Sequence, residues 1–263
     1  MNDSIPILLY HRIDESGLST ATPPAVFRQH LSKLRSDGWT ALSLDEFAFV
    51  TTSGRPAPER SCLITFDDGY ETVASAALPI LEEFDFRATV FLATRFLREP
   101  GGNWGLTEDP EAAGFMTWDQ ARALQAGGII DCQSHSHTHS NFTHSSLTEI
   151  RNDLGMSIDM LAGELNLPRS HFSHFAWPWG LSRPEWRSIA SKCGFRFQYT
   201  VAKQSWRPDS PLDEIPRTCF DATDFAAFQR QLWLQSGQLA SVWDFAYPMG
   251  RKLRQLSAGL LGR

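Results

Sequence analysis

Short apolar runs alternate along the chain with stretches whose apolar positions recur every three or four residues, a pattern that continues to about residue 220 of the 263. The runs at 5–10, 40–44, 61–66, 88–93, 129–133, 172–177, 195–201 and 215–220 predict strands. Between them, 24–37, 71–84, 117–126, 147–165 and 184–193 predict helices. The first helix places Phe27, Leu31 and Leu34 on one stripe and stops at Gly38. Asp45 is the expected cap of a further short helix, Pro79 is expected to kink the helix that contains it, and Gly127-Gly128 ends another. Strand and helix in strict alternation predict a parallel sheet wrapped by helices. At this length the leading architecture is a (β/α) barrel of seven or eight parallel strands, complete or partly open, over residues 1–240. Residues 241–263 are expected to form a helical or flexible C-terminal extension.

This architecture gathers functional groups at the carboxyl ends of the strands. His11 follows the first predicted strand, Asp67-Asp68 the third, His135 and His139 the fifth, and Trp177-Pro178-Trp179-Gly180 the sixth. The connection at 95–114, with Gly101-Gly102-Asn103-Trp104-Gly105, is long for a strand-to-helix loop and is read as a substrate-recognition loop or lid.

Composition changes the picture mainly by exclusion. Net charge is −6 and no basic block or repeat occurs, which argues against a nucleic-acid partner. Cys62, Cys132, Cys193 and Cys219 are far apart and form no CxxC pair, so all four are expected to be buried and reduced. No apolar run approaches the ~20 residues that span a bilayer, and no basic-then-apolar leader opens the sequence, which as written reads as cytosolic. The C-terminal mixture of aromatics with Arg251, Lys252 and Arg254 is compatible with a helix on a membrane surface that meets a lipid-linked sugar. A packed helix or a tail is the preferred reading. Oligomeric state is left open by the sequence.

Two adjacent carboxylates at a strand end need a counter-charge, and a divalent ion supplies it. Ser134-His135-Ser136-His137-Thr138-His139 offers imidazoles at His135 and His139, spaced to meet on one face of a helical turn or tight loop. One carboxylate and two imidazoles with an open position is a common arrangement for zinc acting on water. If Asp68 is the carboxylate ligand, Asp67 stands unligated beside the water, where it can serve as general base.

Thr65-Phe66-Asp67-Asp68-Gly69 and the histidine run together resemble the first two motifs of the polysaccharide deacetylases, carbohydrate esterase family 4. The opening Leu9-Tyr10-His11-Arg12-Ile13 and the lead-in Met116-Thr117-Trp118-Asp119-Gln120 are similar to that family as well, over about residues 5–220. The resemblance implies metal-dependent removal of acetyl groups from N-acetylated sugars. It makes Asp67 the general base and Asp68, His135 and His139 the metal ligands, with zinc the expected ion and cobalt or nickel held by the same donors. Phe175-Ala176-Trp177-Pro178-Trp179-Gly180 resembles the third motif of deacetylases that act on poly-N-acetylglucosamine, which implies that Trp177, Pro178 and Trp179 line the sugar groove. Tyr70 and Trp104 join them as substrate-binding candidates, with a backbone N–H near Tyr70 completing an oxyanion hole.

The sequence departs from the family at two places. The arginine that usually orients the base is replaced by Ala176, and Arg217 on the last strand is the candidate to supply that charge. No histidine follows His174, so the late-strand general acid is missing and His11 is its candidate substitute, with Asp67 returning its own proton as the alternative. Rival functions are an O-acetyl esterase, a cyclic amide hydrolase on the same scaffold, and a catalytically weak carbohydrate-binding protein.

Overall fold

The apolar runs pair as one parallel sheet whose central strands are buried on both faces, which is why they carry no polar alternation. The computed structural model describes residues 4–98, 114–236, 242–243 and 245–247. Its strands are β1 Ile7–Tyr10, β2 Thr40–Ala41, β3 Ser61–Phe66, β4 Ala88–Leu92, β5 Ile130–Ser134, β6 His174–Ala176, β7 Phe197–Tyr199 and β8 Thr218–Cys219. Its helices are α1 Pro24–Ser36, α2 Leu44–Ser53, α3 Leu78–Phe84, α4 Trp118–Gly127, α5 Leu147–Leu165, α6 Pro184–Cys193 and α7 Phe225–Ser236. The strand order is β7-β6-β5-β4-β3-β1-β8, with β2 on the lower half of β3. The sheet curls into a distorted (β/α) barrel. Its seam, between β7 and β8, is crossed by three backbone bonds of 2.8 Å, from Ile215 N–H to Gln198, Thr200 N–H to Ile215 and Ala202 N–H to Arg217.

Strand parity sorts the core into two clusters. Leu8, Tyr10, Ile64, Phe66, Val90, Cys132, Phe175 and Trp177 pack outward against helices α1 and α3 to α6. Ile7, Leu63, Phe91, Ala176, Tyr199 and Ile215 face inward, where Phe47 of α2 closes one end of the barrel against Phe197, Tyr199 and Trp206.

Several expected boundaries shift for local reasons. The second strand stops at Ala41 because Ser43, rather than Asp45, caps α2 in a reciprocal capping box with Glu46. The helix expected at 71–84 starts as a π-helical turn, Val73–Ala77, and becomes α-helical at Leu78. Pro79 is the second residue of the α-helical segment, directly after the π-helical turn. The outer strands β6, β7 and β8 are shorter than their apolar runs. Helix α7 was not anticipated; it covers α1 through Phe228, whose ring stacks on His30 at 4.0 Å, and through Leu232. Of the cysteines, Cys62 and Cys132 are buried as expected, whereas Cys193 at the end of α6 and Cys219 at the barrel rim are only half-buried; all four are free thiols. The long loop with Trp104, and all but a few residues of the extension 241–263, lie outside the described residues. Among the described residues no helix is long and apolar enough to cross a membrane.

Candidate active site

The end of β3 turns abruptly: Asp68 has φ +73° and Gly69 φ +89°. Aspartate tolerates this left-handed conformation better than most residues, and Gly69 is required, since a Cβ there would stand 2.8 Å from the Leu92 side chain. The turn separates the two carboxylates. Asp67 continues the inward parity of Leu63 and Thr65, while Asp68 is swung toward the loop after β5.

That loop is held from below. Asp153 of α5 accepts the backbone N–H of His137 at 2.8 Å and of Thr138 at 3.0 Å, and Ser136 Oγ accepts His139 N–H at 2.9 Å. Ser136 and His139 are both left-handed, so the two histidines meet through a tight loop and not a helical turn. His135 Nε2 and His139 Nε2 each lie 3.3 Å from Asp68 Oδ1. His135 Nδ1 donates to the Ala176 carbonyl at 2.8 Å, which fixes the proton there and leaves Nε2 as a bare lone pair. Burial pulls His139 down to about 4, against the opposing pull of Asp68, so it is neutral at ordinary pH. Asp68 Oδ1 is buried and accepts no hydrogen bond among the described residues. Two lone pairs and a carboxylate oxygen converging without a proton between them are the donor set of a cation. Ligands about 2.0–2.2 Å from a tetrahedral ion stand about 3.3–3.5 Å apart, the spacing found here. The residues therefore fit a divalent metal.

Asp67 does not share that spacing, at 3.7 Å from His135 Nε2. It is gripped across β1 by Arg217, which precedes β8 and whose Nη1 and Nη2 donate to Oδ1 and Oδ2 at 2.6 Å each. Arg217 is fully buried; its Nε donates to the Thr200 carbonyl across the seam at 3.3 Å, and its guanidinium lies 5.2 Å from the Phe91 ring. Burial alone would raise the Asp67 pKa, but Arg217 and then His135 outweigh it and hold the carboxyl at about 2. The charge missing at Ala176 is thus restored from a different strand.

His11 follows β1 and is part-exposed at the same rim. Asp221 fixes it twice, accepting the His11 backbone N–H at 3.1 Å and His11 Nδ1 at 2.5 Å. Burial alone would lower the His11 pKa; the Asp221 carboxylate reverses this and holds it well above the ordinary value. Asp221 was not singled out from the sequence. Its one signal was position, an acid directly after the last predicted strand. Asp153, in mid-helix, carried none.

The aromatic candidates divide. Trp177 shares the outward parity of Phe175, packs against Phe142, Phe175 and Trp186, and gives its indole N–H to Gln198 at 3.2 Å. It is a core residue, so its expected place in the sugar groove is wrong, and Pro178 is buried as well. Trp179 is 58% exposed, with its ring 5.4 Å from that of His139. Its φ of +61° is strained for a bulky residue, and Gly180 beside it could not carry a Cβ, which would meet Val201 at 2.7 Å. Tyr70 is half-buried, stacked on Phe115 at 4.9 Å and capped by the Arg12 guanidinium. In the bridge between Tyr70 and Phe115, Glu71 N–H donates to the Gly114 carbonyl and Met116 N–H to the Gly69 carbonyl, each at 2.9 Å.

The model of one protein family, polysaccharide deacetylase, matches residues 54–198, more than half of the sequence. The chain belongs to the polysaccharide deacetylase family. Among curated relatives of this deacetylase-family chain is the poly-beta-1,6-N-acetyl-D-glucosamine N-deacetylase of Staphylococcus aureus, 24% identical over 196 residues, covering 73% of the chain and 64% of the relative. The chain thus spans somewhat under two thirds of that relative's length. The same fold is seen in IcaB from Ammonifex degensii, with TM-score 0.74, 22% identity and coverage of 89% and 97%. It is also seen in the Streptococcus pyogenes deacetylase PplD in complex with acetate, with TM-score 0.71, 22% identity and coverage of 82% and 92%.

Proposed function

We propose that this deacetylase-family chain hydrolyses the acetamide of an N-acetylated sugar polymer or its precursor, with poly-N-acetylglucosamine, the polymer in the name of one curated relative, as the substrate class. The observation that carries the reading is a pair of proton-transfer groups poised in opposite states beside a three-donor cluster. Asp67 is held ionised by Arg217, and His11 is held protonated by Asp221. Environments that push two titratable groups apart in this way assign a base and an acid.

Asp68, His135 and His139 would hold a divalent ion, zinc by donor type, with cobalt or nickel also suited. Such an ion supplies Lewis acidity, which polarises the acetamide carbonyl and acidifies a water molecule. Asp67 takes the proton of the attacking water, and the guanidinium, bonded to both of its oxygens, keeps the carboxylate from rotating. A backbone N–H near Tyr70 would donate to the developing oxyanion. His11, with Nδ1 occupied by Asp221, delivers its Nε2 proton to the leaving amine, so that acetate and a free amino sugar are the products. Trp179 offers its exposed face to a pyranose ring, and Tyr70 lines the opposite approach.

Reading the products separates this activity from its rivals. Incubation with N-acetylglucosamine oligomers of increasing length should yield acetate and free amine in equal amounts. Acetate released only from O-acetyl esters would replace the reading with an esterase, and no release from any acetylated sugar would leave a binding protein. The two tryptophans are told apart by their variants. Trp177→Ala should destabilise the fold by about 3–5 kcal/mol in chemical denaturation, whereas Trp179→Ala should raise KM with the denaturation midpoint nearly unchanged.

His11 and Asp221 also set a pH limit. Activity needs His11 protonated, so it is retained below the raised His11 pKa and falls as pH rises through it. Asp221→Asn removes the raising charge and leaves the burial that lowers it. The alkaline limb of kcat should move down, to or below the ordinary histidine value. An unmoved limb would exclude His11 as the proton donor.

A further inference from the structure

Beside the cluster just described, the barrel rim holds a second convergence of ligand atoms. Asp221 Oδ2, which receives His11 Nδ1 at 2.5 Å, also accepts the Cys219 thiol at 3.2 Å. Among the described residues, His11, Cys219 and Asp221 form one of two groups whose ligand atoms all lie within 4.8 Å of one another; the other is Asp68, His135 and His139. The two groups differ in chemistry and access. The first has no sulfur and is buried; the second has a thiol, and although the Asp221 side chain is buried the His11 side chain is 20% exposed, so an ion can reach it from solvent on the His11 side.

We propose that His11 Nδ1, Cys219 Sγ and the Asp221 carboxylate form a second, inhibitory site for a thiophilic divalent cation, filled after the Asp68 site. One imidazole, one thiolate and one carboxylate select zinc, cobalt or cadmium over magnesium or calcium. Tetrahedral coordination asks for N–O and O–S separations of about 3.4 and 3.6 Å, so the side chains open by about 1 Å or less and water takes the fourth position. The exchange balances: the imidazolium loses its Nδ1 proton, the thiol loses its proton, and one dication replaces both. Net charge in the pocket is unchanged. The second ion therefore adds no more repulsion toward the first than the imidazolium already does.

Inhibition rests on the proposed role of His11. With Nδ1 on a metal the ring keeps only its Nε2–H, a far weaker acid than an imidazolium, and the leaving amine gets no proton. Chelation of the second ion reverses the block.

Cobalt(II) titration of the metal-stripped full chain tests this. The first equivalent should bind without a thiolate-to-cobalt charge-transfer band in the near ultraviolet and should bring activity up. The second should bring the band and lower activity about 10²-fold or more. Cys219→Ser and Cys219→Ala should bind the first equivalent, show no band, and keep at excess cobalt the activity each has at one equivalent. No band in the unaltered chain, or an equal band in both Cys219 variants, overturns the site. A band without inhibition overturns the inhibitory role proposed for the site and, with it, His11 as the acid. Because the band is read without substrate, failure of the deacetylase reading and failure of the second site are distinguished.

Discussion

Asp67→Asn is expected to lower kcat on an N-acetylated oligosaccharide by roughly 10²–10⁴-fold while one equivalent of metal still binds. Asp67 Oδ2 lies 3.7 Å from the nearest ligand nitrogen, against 3.3 Å for Asp68 Oδ1, so its amide leaves the donor set intact. What is lost is an anionic oxygen able to accept a proton. The amide also faces Arg217 with an NH₂ where a carboxylate oxygen stood, which breaks one of the two 2.6 Å bonds. Metal stoichiometry and kcat together decide. Full turnover with metal bound would show that Asp67 is not the base, and loss of metal along with turnover would place it in the ligand set.

Arg217→Met should produce the second large effect, on stability as well as chemistry. The Met side chain can occupy the space between Phe91 and Tyr199, but Asp67 is left buried without its counter-charge. Removing one partner of a buried pair costs about 3–5 kcal/mol, because the surviving charge is neither solvated nor neutralised. Denaturation of the metal-free protein should show that loss, and Asp67→Asn in the same background should recover part of it, as coupled sites require. The pH dependence has a definite sign. Asp67 at about 2 contributes stability that is fully present above the unfolded-carboxylate range and is lost only as pH falls toward 2. Without Arg217 its pKa rises, so both stability and the acid limb of kcat should begin to fail at higher pH. An acid limb identical in both proteins would mean that Arg217 does not hold the base.

The two motifs of the proposed metal site were legible because chemistry and position coincided: an apolar strand stopping at Asp67-Asp68-Gly69, and imidazoles four residues apart after another strand. Arg217 was legible as a candidate by elimination, once Ala176 was seen to lack the charge that Asp67 needs. Other parts were hidden for physical reasons. Whether Trp177 or Trp179 faces the groove turns on strand parity and on a left-handed residue at 179, and an apolar run buried on both faces does not reveal its parity. Asp221 and Asp153 act through backbone and ring nitrogens distant in sequence, 210 and about 16 residues away, so no local spacing marks them. Strand ends were misjudged where capping chemistry intervened, as at Ser43, and α7 was missed because its stripe rests on little more than Phe228 and Leu232.

The central claim is that an ion on Asp68, His135 and His139 is indispensable to amide hydrolysis at this site. It is tested most directly by measuring acetate release against zinc equivalents, starting from chelator-stripped protein with a β-1,6-linked N-acetylglucosamine oligomer as substrate. The account predicts no release from the stripped protein, a rise to a maximum at one equivalent per chain, and no recovery in His135→Ala at the same zinc. Equal acetate release from stripped and reloaded protein, or full recovery in His135→Ala, would contradict it.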